Sequence, residues 1–77
     1  MTRKDFYIAL GERLRSIRHF NNESWHNVAD ALGIDPNLYG DYESGKNHPD
    51  LWRLMQLAKH WGVPITTLIP PIYEEKK

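Results

Sequence analysis

The side chains in this 77-residue chain that can do chemistry are four histidines, ten carboxylates and ten lysine or arginine cations, with no cysteine among them. Thiolate metal sites and disulfides are therefore excluded. His19, His26, His48 and His60 show no ligating repeat such as HExxH, and His60 reads as a solvated helix-face residue. No serine, histidine and acid are spaced as a nucleophilic set, and a domain this small offers little cavity. The expectation is a protein without catalysis, metal or cofactor. What remains is hydrogen bonding and charge presented on a surface. The stretch from Ser24 to Gly45, SWHNVADALGIDPNLYGDYESG, is where the sequence organises both.

That stretch reads as two short helices joined by a glycine turn. Val28, Ala29 and Leu32 recur at helical intervals, and Ser24 before them is a good N-cap. Gly33 falls where a left-handed turn residue is needed, and Ile34 follows as an apolar plug. Asp35 then restarts the chain as N-cap, with Pro36 as first helical residue, where a missing N–H costs nothing. Leu38, Tyr39 and Tyr42 share one apolar face of the second helix, Pro36 to Ser44, and Gly45 ends it. Small Ala29 lets the helices approach closely. So short a turn makes them cross steeply and leaves the second protruding, the geometry with which a helix-turn-helix enters a DNA major groove.

Three further helices must hold this pair. The first spans Arg3 to Phe20, begun by a capping box at Thr2 and Asp5, with Phe6, Leu10, Leu14 and Ile17 as an inward stripe. The fourth starts after Pro49 with Asp50 as N-cap, places Leu51, Leu54, Met55, Leu57, Ala58 and Trp61 on its apolar side, and stops at Gly62. The fifth is short, Ile65 to Ile69, and ends at Pro70-Pro71. No strand is predicted. One domain over residues 1–69 and a short tail over 70–77, ending in EEKK, fit the length; such a chain buries roughly 60% of its unfolded surface. The N-terminus lacks a signal-peptide run and no stretch is long enough to span a bilayer, so a cytoplasmic protein without membrane contact is expected.

Charge is the feature that resists. Lysine and arginine balance aspartate and glutamate, giving a formal net charge of zero, whereas affinity for DNA comes largely from displacing phosphate counterions. Residues 1–20 carry Arg3, Lys4, Arg13, Arg15 and Arg18 against Asp5 and Glu12. The segment 35–44 carries Asp35, Asp41 and Glu43 with no lysine or arginine.

Taken together, LGERLR at 10–15, VADALGI at 28–34, YESGK at 42–46, Pro49 and LAKHWGVPITTLI at 57–69 resemble the phage-repressor/Cro (XRE-type) helix-turn-helix family. The pieces are individually unspecific; their order and spacing over residues 10–69, without gaps, are strong. The resemblance implies an all-α fold, a five-helix repressor-like DNA-binding domain with a central helix-turn-helix, acting on transcription as a homodimer on double-stranded DNA. It also implies a structural ion pair between Arg18 and Glu43, where removing one partner would be costly.

Matched one at a time, the DNA-facing positions of that family fall here on Asn37, Asp41 and Ser44 for bases and on Trp25, His26, Lys46 and Asn47 for phosphates. Asn37 suits adenine and Asp41 can accept from cytosine N4, although Asn37 is equally a solvated turn residue and Asp41 also repels phosphate. Trp25 stands where the family often has glutamine. Its indole N–H can donate to a phosphate beside the helix start, or the ring packs against the fourth helix or a partner. Gly40 gives the face no side chain and weakens the helix by up to about 1 kcal/mol. Lys46 is the cleanest phosphate contact or a plain solvated lysine. Trp52 is an interface anchor or lies over His48-Pro49, the latter favoured. Ile69, Ile72 and Tyr73 offer a dimer contact or fold back on their own domain.

Two functions stay open at this point. One is a sequence-specific transcriptional regulator, a repressor in the resemblance, binding an inverted-repeat operator as a homodimer. The other is a helix-turn-helix scaffold used as an antitoxin-like or adaptor module. The acidic helix, Gly40 and Trp52 favour the second. The position of Arg13, Arg15 and Lys46 relative to Asn37 separates them. A small-molecule effector stays open as well.

Overall fold

The computed structural model describes residues 1–73, which form α1 (Arg3–Phe20), α2 (Trp25–Leu32), α3 (Pro36–Ser44), α4 (Leu51–Trp61) and α5 (Ile65–Leu68), with no strand among the described residues. The EEKK end of the expected tail, residues 74–77, lies outside them. Local side chains start four of the helices. Thr2 Oγ1 accepts from the Asp5 amide at 3.1 Å while Asp5 accepts from the Thr2 amide at 3.2 Å. Ser24 and Asn27 repeat the arrangement at α2. Asp35 accepts from the Asn37 amide at 2.7 Å and Asp50 from the Arg53 amide at 2.8 Å. Each cap satisfies an amide that its helix leaves without a partner.

The reversal between α2 and α3 rests on Gly33. Its φ is 70°, and the following Ile34 amide donates back to the Ala29 carbonyl at 3.0 Å. Glycine adopts that left-handed conformation without steric cost, and the backward bond closes the last turn of α2. The chain therefore doubles back at once, and α3 packs against both α2 and α1. α4 packs on α2 and α5, and α1 also meets α5.

The core between them holds Leu10 and Leu14, Val28, Ala29 and Leu32, Tyr39 and Tyr42, Leu57 and Ala58, and Leu68. Its tightest point is the α1–α3 crossing. A β-carbon on Gly11 would lie 2.3 Å from the Glu43 carbonyl oxygen and 2.6 Å from that of Tyr42. The two backbones touch there, a requirement that apolar periodicity does not reveal.

α4 departs from expectation in two ways. Leu54, Leu57, Ala58 and Trp61 pack inward or against the core, but Leu51 and Met55 are 67% and 49% exposed. The inward set fixes the rotation of the helix through its contacts with α2 and α5, and that rotation carries Leu51 and Met55 onto the flank. Trp52 does not cover His48-Pro49 either. It is exposed and borders a shallow cavity with Ala31, Gln56, Lys59 and His60. His48 instead stacks on Tyr7, the rings 3.5 Å apart and tilted by 6°. α5 stops at Leu68, one residue short of the expected end, because Ile69 is already extended.

Candidate nucleic-acid interface

α3 has two unlike edges. Tyr39, Tyr42 and Glu43 point into the domain, while Asn37 and Ser44 are exposed and Asp41 is partly so. On the inner edge Glu43 is only 3% exposed. Arg18 Nε donates to its Oε2 at 2.6 Å and Arg18 Nη2 to its Oε1 at 3.0 Å, a two-pronged pair joining α1 to α3. Trp25 Nε1 donates to the same Oε1 at 3.2 Å, and Arg15 Nε stands 3.7 Å away. Burial alone pushes the Glu43 carboxyl up, but the bonds and charge of Arg18, the nearby Tyr39 hydroxyl and the bond from Trp25 outweigh it and hold the group below its ordinary value. The bond to Glu43 in turn raises Arg18, against the effect of burial.

The Tyr39 hydroxyl is buried beside this pair, and no partner meets hydrogen-bond geometry with it. Burial first, and then the carboxylate of Glu43, push its phenol well above the ordinary range, so it stays protonated. Arg18 reaches further, its Nη1 donating to the Glu23 carbonyl at 2.9 Å. The Glu23 carboxylate accepts from Trp61 Nε1 at 2.7 Å and meets His60 Nε2 at 2.6 Å. One network thus ties α1, the turn before α2, α3 and the end of α4.

The tryptophan at the head of α2 lies across α3. A β-carbon on Gly40 would come within 2.7 Å of Trp25 Cη2 and Cζ3, so the indole rests on the bare backbone at Gly40. Its N–H is turned to Glu43 and not outward to a phosphate, and within the chain the ring packs on α3. Gly40, which by sequence only weakens its helix, is buried beneath the ring. The pairing of Trp25 with Gly40 escaped sequence reading; the absence of a side chain at a central α3 position was the available signal.

Beyond Gly40 the polar residues of the outer edge bind one another. Asn47 Nδ2 donates to Asp41 Oδ2 at 2.9 Å and the Asn47 amide to the Asp41 carbonyl at 3.3 Å. Ser44 Oγ donates to the same carbonyl at 3.2 Å. Asp41, Ser44 and Asn47 therefore form one cluster at the end of α3. Lys46 follows it, exposed, and His26 is exposed beside Trp25. The cations divide. Arg15 stands at the α3 edge beside Glu43, whereas Arg13 Nη1 donates to the Ile69 carbonyl at 3.1 Å and faces α5.

At the far end Ile69 packs against the core, while Ile72 and Tyr73 are exposed. The Met1 ammonium donates to the Tyr73 carbonyl at 3.0 Å, and Ile72 borders an open cavity of about 280 Å³ with Phe6 and Tyr7. Among the described residues no group of three or more histidine or acid side chains is placed to hold a metal ion, and no helix is long and apolar enough to cross a membrane.

Comparison with known proteins agrees with this geometry. A family model described as Helix-turn-helix matches residues 24–68. An SPbeta prophage-derived HTH-type transcriptional regulator of Bacillus subtilis, YonR, is 42% identical over 59 residues, which cover 77% of this chain and 55% of that protein. The cryptic phage CTXphi transcriptional repressor RstR of Vibrio cholerae is 35% identical over 57 residues, covering 74% of this chain and 51% of that one. The chain thus spans about half the length of the curated relatives it matches. Among solved structures, the DNA-binding domain of BldD superposes with a TM-score of 0.78 at 32% identity, covering 91% of this chain and all of that one.

Proposed function

The chain belongs to the helix-turn-helix family of transcriptional regulators, and from that premise we propose that it is a sequence-specific repressor that lays α3 in the major groove of double-stranded DNA. One observation carries the reading: Glu43, counted by sequence among the acids of α3, is buried and neutralised, while Asn37 and Ser44 stand exposed. The outer edge is less acidic than composition suggests, with Arg15 and Lys46 at its margins. Asn37 is the base-reading residue, Lys46 grips a phosphate, and the Asp41–Ser44–Asn47 cluster shapes the rim. The working unit is residues 1–69. The chain acts as a homodimer, through Ile72 and Tyr73 just beyond that unit, on an inverted repeat whose half-sites lie about 34 Å apart.

Selection of bound duplexes from a random pool tests this. An enriched inverted repeat is expected. Lys46→Ala should then weaken all duplexes evenly, and Asn37→Ala should relax preference at one base position. The second reading, an interaction module, is favoured by the exposed Leu51, Trp52 and Met55 on α4. Recovery of no enriched sequence would decide for it.

A further inference from the structure

Trp25 is a large side chain laid across α3 at the single position where α3 has no side chain of its own. The ring sits on Gly40, one helical turn from both Pro36 and Ser44 and three residues from Asn37. Its N–H is held by Glu43 at 3.2 Å, and Glu43 is itself fixed by Arg18. The indole is thus clamped at its polar end and backed by helix backbone, yet 42% of the residue remains exposed. The only polar atom of the ring points inward, so the surface that the ring exposes is carbon.

A surface laid over Gly40 adjoins Asn37 and Ser44, the edge that the DNA-binding reading turns to the bases. We infer that α3 borrows this side chain from α2: Trp25 supplies a fixed apolar surface that packs on a thymine C5-methyl group, the one apolar mark in the major groove. The inference rests on the DNA-binding reading above and assigns Trp25 a base-reading role in place of a phosphate contact. Tying the N–H to Glu43 leaves the ring little rotational freedom, so it discriminates by fit. A hydrogen-bonding base edge set against it would lose its water without gaining a partner.

The test starts from the duplex selected by the wild-type chain. Each thymine is replaced in turn by deoxyuridine, which removes only the methyl group. In the wild type, one thymine per half-site should show a loss of about fourfold in affinity, the worth of one buried carbon group. Trp25→Ala should lose that sensitivity while keeping the preference set by Asn37. Gly40→Ala, which pushes the ring off α3, should reduce it. The wild-type series needs no folded variant: enrichment of a sequence with no uracil-sensitive thymine overturns this inference and leaves the DNA-binding reading standing. An enriched duplex whose sensitive thymine responds equally in Trp25→Ala also overturns it. Failure to enrich any sequence overturns both.

Discussion

The inner and outer edges of α3 use the same residue types to opposite ends. Glu43 on the inner edge meets Arg18 in a buried two-pronged pair, whereas Asp41, two residues earlier, is partly exposed and meets only the neutral amide of Asn47. Both are acids on one short helix. Their environments make one a joint between helices and the other part of a surface cluster. A buried charge that loses its partner is left without water or counter-ion; a surface group that loses its partner is rehydrated. The inner edge should therefore govern stability and the outer edge recognition, and the two should separate under mutation.

The largest expected effect is on the inner edge. Glu43→Ala leaves Arg18 without its counter-ion and removes the acceptor for Trp25, and should lower the unfolding free energy by about 3–5 kcal/mol. That is most of the stability of a small domain, so urea titration should find the variant largely unfolded. Gly11→Ala comes next. Its β-carbon would overlap the Glu43 and Tyr42 carbonyls, and forcing α1 from α3 should cost about 1–3 kcal/mol, read from the same titration.

A pH series probes the same joint without mutation. The Glu43 carboxyl is held below its ordinary 4.5 in the folded chain. Its contribution is then fully present above about pH 4.5 and lost as pH falls through the lower folded value. Asp5, lowered by its bonds to Thr2, acts in the same direction. The urea midpoint should hold steady at neutral pH and fall as the solution is acidified below about pH 4.5. A midpoint insensitive to acid would mean that the pair contributes nothing net.

The smallest effects on stability belong to the outer edge. Asn37→Ala and Lys46→Ala should each stay within about 0.5 kcal/mol of wild type, while on the proposed reading both should change duplex binding. If Lys46→Ala unfolded the chain, the division between the edges would fail. The salt dependence sharpens it further. With Arg15 and Lys46 as the cations at α3, the proposed dimer would displace about four counterions. The log–log slope should be about −4 or shallower, and a steeper slope would require a basic surface elsewhere.

Much of this was legible from residues alone. Thr2 with Asp5, Ser24, Asp35-Pro36 and Asp50 mark helix starts, and Gly33 and Gly62 mark ends, because capping and left-handed turns are local chemistry decided within a few residues. The stripe of Leu10 and Leu14 and the face of Tyr39 and Tyr42 follow from helical repeat. The gap-free order of these elements already resembled one family. Leu51 and Met55 misled, because an apolar residue type does not fix which way a helix turns once its neighbours are in place.

The sequence by itself therefore determined the helices, their limits and the short reversal at Gly33, since each depends on bonds between residues near in the chain. Only the tertiary structure decided which polar groups are available to a partner. Residues distant in sequence, Trp25 with Gly40 and Arg13 with Ile69, meet there and take up donors, acceptors and surface. The outcome is set by how closely α1, α2 and α3 pack, which no local pattern specifies.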